Sequence, residues 1–197
     1  MRVDRRLNIV VPVETAEGEV FVHSTPISSD AFRRYYLLIA KTFAKIYNQG
    51  LGALAGPRVA AHLLRDAAIE QAGPLADEEA REAAGREAEG LLAEIRRLSN
   101  VAAPTREGWA TIPYQEAIDR GAISKEDADD VENILVFFIV ASAMQRGEEL
   151  DTVRKMTGQL YDARFTSQNY TAWVASLPTS TATDNSDSRP TPSSIPS

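Results

Sequence analysis

Residues 124–144, SKEDADDVENILVFFIVASAM, decide the fold. Ser124 with an acidic residue three positions on, Asp127, is a helix-start signature: the hydroxyl accepts a first-turn N–H, and the neighbouring carboxylates suit the positive end of the helix dipole. The run that follows, Ile134 to Met144, is apolar on every side, which a helix tolerates only when it is enclosed. It is about half of the ~20 residues needed to cross a bilayer. The stretch therefore predicts the most buried helix of a folded core, and the rest of the chain must supply its cover.

Upstream, Ile112-Pro113 leads into a short helix, Tyr114 to Arg120, ended by Gly121. Val101 to Thr111, with Pro104 and Gly108 around Trp109, reads as irregular. Asp77 to Ser99 is helical, packed at its carboxyl end through Leu91, Leu92, Ile95 and Leu98. Its first half has almost no large apolar side chain, so an exposed helix around Glu78 to Glu89 is expected, held by the i, i+4 pairs Asp77/Arg81 and Glu82/Arg86 at about 0.2–0.5 kcal/mol each. Gly50 to Gly56 reads as a flexible apolar connection, with Pro57 at the first position of a helix running to about Gln71. Its glycines suggest a phosphate loop, but no Lys-Ser or Lys-Thr follows and no parallel strand precedes, so a hinge or close helix packing is the better account.

Ser28, Ser29 and Asp30 can cap a helix whose apolar residues Phe32, Tyr36, Ile39, Phe43 and Ile46 recur at three and four, ending near Asn48-Gln49-Gly50. Arg33, Arg34, Lys41 and Lys45 form its solvated outer side. Leu7–Val13 and Glu19–His23 flank Gly18 as the arms of an antiparallel hairpin. Beyond the core helix, another spans Leu150 to Tyr161, and a last one begins at Thr166 or Ser167 with Tyr170, Trp173, Val174 and Leu177 on one face. From Pro178, fourteen of twenty residues are Ser, Thr or Pro, too little apolar surface to offset the entropy of ordering. The expected fold is mainly α (α+β): an N-terminal β-hairpin followed by about six packed helices in one domain, 1–177, then a disordered tail, 178–197.

Twenty-eight acidic against twenty-one basic residues, a net charge of −7, oppose affinity for phosphate backbones or anionic lipid. No cysteine is present, which removes disulfides and thiolate chemistry. MRVDRRLNIVVPV runs into Pro12 and Glu14 without a cleavage site, unlike a signal peptide. Glu126, Asp127, Asp129, Asp130 and Glu132 lack the glycine and spacing of a calcium loop and are explained by the helix start. His23 and His62 lie on different elements, and no G-x-S-x-G elbow occurs. No catalytic, cofactor or metal residues are assigned; an enzyme built from both histidines and distant carboxylates is the competing reading, alongside a regulatory adaptor. Trp109, Tyr170 and Trp173 are either core packing or interface anchors. The Tyr170/Trp173/Leu177 face is the candidate partner-binding site, with Glu78 to Glu89 and Gly50 to Gly56 as further contact surfaces.

The segments VHSTPISSDAFRRYYLLIAKTFAKIY, GLGALAGPRVAAHLLRDAA and ENILVFFIVASAM, closing with the short helix and SLPTST, resemble tail assembly chaperones of long-tailed bacteriophages. The resemblance implies a protein that is not an enzyme. It would bind the helical tape measure protein, keep it soluble while tail tube protein is recruited, act in the host cytoplasm and be absent from the mature virion. It further implies a ribosomal frameshift near the end of the gene; homo-oligomers are compatible with it. A structural virion component, such as a tail completion or connector protein, is the alternative.

Overall fold

The computed structural model describes residues 7–16 and 18–178. Most of the tail assigned to 178–197 lies outside the described residues. The hairpin is present: β1 (Asn8–Thr15) pairs antiparallel with β2 (Gly18–Ser24), and Gly18 at the turn has φ 120°, a conformation that glycine adopts without strain. It is the centre of a larger sheet. β3 (Ser99–Thr105) pairs with β2, and β4 (Gly108–Pro113) pairs with β3. The span 101–111 is thus a second hairpin and not irregular chain. A three-residue strand, β5 (Arg164–Thr166), closes the order β4-β3-β2-β1-β5, all antiparallel.

Period-two alternation divides the sheet into two faces. Ile9, Val11, Val13, Val20, Val22 and Val101 belong to the main core, while Val10, Phe21 and Ala102 belong to a separate small cluster on the opposite face. Pro12 is tolerated because the β5 pairing covers only Asn8 to Val10, so its missing N–H costs no ladder bond there.

Eight helices occur among the described residues. α1 (Ser29–Arg34) and α2 (Tyr36–Asn48) replace the single expected helix, parting at Tyr35, although Tyr35 N–H still donates to Ala31 and Ile39 N–H to Tyr35. α3 (Gly52–Ala72) takes in most of the stretch expected to be a flexible connection, and Pro57 falls inside it instead of at its first position. α4 (Glu78–Arg97) follows, then α5 (Tyr114–Asp119), α6 (Lys125–Met144), α7 (Glu148–Tyr161) and α8 (Tyr170–Val174).

The central expectation holds at α6. Ser124 caps it by accepting from Asp127 N–H, and an unbroken run from Val131 to Ala143 is buried against α2, α3, α4, α7 and β1. Two polar residues in that run are fully used. Asn133 Oδ1 accepts from Ala61 N–H at 2.9 Å and its Nδ2 donates to Asp129 O, while Glu132 receives Arg65 Nη2 at 3.1 Å and Arg96 Nε at 2.6 Å. The network ties α6 to α3 and α4, and Glu89 extends it through a second contact to Arg65. The three helices come together where α6 supplies a polar turn.

Candidate binding groove

Of the surfaces singled out by sequence, the face of the last helix is turned inward, while most of Glu78 to Glu89 is exposed as expected. Trp173 is 8 % exposed, packed with Val10, Phe21 and Ala102, and Tyr170, Val174, Leu177 and Trp109 close around that cluster. Tyr170 Oη donates to Val101 O at 3.0 Å, Trp109 Nε1 donates to Pro178 O at 2.9 Å, and the rings of Phe21 and Trp173 meet edge to face. The Tyr170/Trp173/Leu177 face is therefore spent on the molecule's own sheet. In α4, Ala84 and Ala88 are buried, so its first half is docked through small side chains, while Glu82 pairs with Arg86 and Asp77 instead caps Ala80 N–H. At Gly56, a Cβ would sit 2.7 Å from Phe137 and 2.9 Å from Ile46, so close helix packing, not a phosphate loop, accounts for that glycine.

His23 is buried in the sheet and His62 is exposed on α3. Among the described residues no three His, Asp or Glu side chains gather as a metal site would require. Asp127 is held by the Ser124 hydroxyl, and Glu132 by the two arginines. None of the described helices is long and apolar enough to cross a membrane.

A different surface has the chemistry of a contact site. Gln145 to Gly147, with Gly147 at φ 56°, turn the chain from α6 into α7 within three residues. α7 then leans on the start of α3, where Tyr161 Oη donates to Leu54 O at 2.9 Å. Between α2, the start of α3, the end of α6 and α7 this leaves a groove of about 630 Å³. Its walls are Phe43, Tyr47, Met144, Val153 and Met156, with Ala53 at one side, and the tilted rings of Phe43 and Tyr47 pack with centroids 4.4 Å apart. Met144 and Met156 are two of the three methionines in the chain, the third being Met1. Unbranched, polarisable side chains of this kind refit to irregular apolar partners.

The polar groups of the groove are unequal to one another. Glu149 lines it, in a first turn of α7 that also carries Glu148 and Asp151. Burial pushes the Tyr47 hydroxyl above its ordinary pKa, the Gln145 side chain opposes this, and the Glu149 charge adds to it. Despite that proximity, neither Tyr47 Oη nor Gln145 Oε1 completes a hydrogen bond of good geometry. Nothing in the one-dimensional pattern marked this site, because Met144, Tyr47 and Met156 each look like ordinary core positions of three separate helices. Compared with known proteins, the chain matches no family model, no curated protein and no solved structure.

Proposed function

We propose that the protein is a non-enzymatic assembly chaperone that captures an apolar helix of a partner in the groove between α2, α3, α6 and α7. The observation that carries this is the lining: both internal methionines and a packed aromatic pair on a concave surface beside an acidic turn. A helix entering such a groove contributes apolar residues at i, i+3, i+4 and i+7, and basic residues flanking that stripe would meet Glu148, Glu149 and Asp151. The net charge of −7 keeps the complex in solution while the stripe is covered.

The resemblance to tail assembly chaperones of long-tailed phages supplies the partner: the tape measure protein, a long helical chain, held until tail tube subunits assemble around it. In that setting the chaperone works in the host cytoplasm and leaves before the particle is finished. Co-expression with the tape measure protein tests the proposal. The wild type is expected to hold the partner in the soluble fraction, and a Met144→Lys/Met156→Lys double variant of unchanged stability to lose at least fivefold of it. Equal recovery with both would remove the groove, and stoichiometric presence of the chain in purified particles would favour a structural virion component.

A further inference from the structure

The cluster on the outer face of the sheet holds a titratable group that the groove does not use. His23 is 0 % exposed. Its ring lies 5.5 Å, centroid to centroid, from both Tyr170 and Trp173. Its Nε2 stands 3.3 Å from the carbonyl oxygen of Gln168, which also accepts from Asn8 Nδ2 at 2.7 Å. A carbonyl can only accept, so the neutral ring carries its proton on Nε2, and the buried Nδ1, near the carbonyl of His23 itself, completes no hydrogen bond of good geometry.

A second proton would go to Nδ1 and place a cation inside this cluster. The titratable and charged groups that face it are Tyr170 from α8 and, on the same side of the sheet, Arg164 from β5, whose guanidinium lies over Phe21. Its cross-strand neighbours are Val10 on β1 and Asn100 on β3. None of these is a carboxylate. Burial disfavours the charged ring and lowers its pKa below the ordinary value of 6.5, although the backbone carbonyls of Gln168 and of His23 itself pull the other way.

The same ring stands under the attachment of the last helix. α8 and its flanks are fixed to the outer face by the Gln168 carbonyl, by Tyr170 Oη on Val101 O, by Trp109 Nε1 on Pro178 O and by Trp173 against Phe21. This cluster is separate from the main core, so loosening it leaves α6 and its surroundings packed. We infer that α8 with its flanks is a releasable strap, latched over the outer face of the sheet while His23 is neutral and let go when the ring takes up a proton. Release uncovers Val10, Phe21, Ala102 and Trp109 together, a second apolar surface distinct from the groove.

The sign follows from linkage. The released ring titrates near 6.5 and the latched ring below it, so the strap is at full strength above pH 6.5. Below that value opening rises by up to about tenfold per pH unit, until the latched ring itself takes up a proton.

Both tryptophans of the chain, Trp109 and Trp173, sit in this cluster, so intrinsic fluorescence reports on it alone. Acrylamide quenching of the full chain between pH 7.5 and 5.0, with far-UV circular dichroism in parallel, is the test. The expected result is at least a twofold rise in quenching, with a midpoint below pH 6.5 and unchanged helix signal. It should be absent in His23→Gln and retained in His62→Gln. A flat profile in the wild type, the same transition in His23→Gln, or simultaneous loss of helix signal would overturn the inference. Should His23→Gln fail to fold, an NMR titration of the wild-type His23 ring decides: a midpoint that does not coincide with the fluorescence transition is equally fatal.

Discussion

At the scale of single residues, two glycines in neighbouring helices have opposite roles. Gly56 touches Phe137 and Ile46 so closely that a methyl group has no room, and Gly56→Ala should cost about 1–3 kcal/mol by overpacking. Gly85, in α4, has nothing within 4 Å of its would-be Cβ, and Gly85→Ala should stabilise by about 0.5–1 kcal/mol through helix propensity alone. Urea midpoints of the two variants, moving in opposite directions, check both. Glu132 is a third case. Glu132→Ala removes the buried carboxylate that Arg65 and Arg96 share, and because both keep Glu89 and partial access to water the loss should be about 2–3 kcal/mol, short of that for a fully buried pair. A local reading of residues 126–132 explained the acidic cluster by the helix start and missed this, because the partners lie 67 and 36 positions away. Charge is visible along a chain, but the neighbour that makes it tolerable is not.

At the scale of elements, α6 was legible because its capping signal and its all-round apolar run agree with where it ends up. The second hairpin was not. Its strand SNVAAPT combines two alanines and a proline, poor material for a strand by propensity. What overrides this is pairing: β3 finds β2 on one side from Ser99 to Ala102, and Pro104 lies past the end of that ladder, where only β4 is beside it. β5 escaped notice for a related reason, since three residues carry no periodicity. The missed sheet also changes the meaning of α8, whose aromatic face reads as a free anchor only while nothing is known to lie beneath it. Trp173→Ala should raise the hydrogen exchange of the Trp173 amide, bonded to Asn169 O, by at least tenfold and leave the α6 amides unchanged. Equal acceleration in α6 would show that the outer cluster and the main core unfold as one.

At the scale of the whole molecule, an enclosed central helix, a sheet with one face on the core and the other beneath α8, and helices packed around them leave, among the described residues, a concave apolar surface suited to another chain. That surface arises from the three-residue turn between α6 and α7 and from the lean of α7 on α3, neither of which a linear pattern discloses. The claim that the protein acts by reversible coverage of a partner's apolar helix is tested most directly by methyl NMR of the chain labelled at its three methionines. On addition of tape measure segments, the Met144 and Met156 signals should shift. Unmoved Met144 and Met156 signals in a sample where a complex has formed would contradict the account.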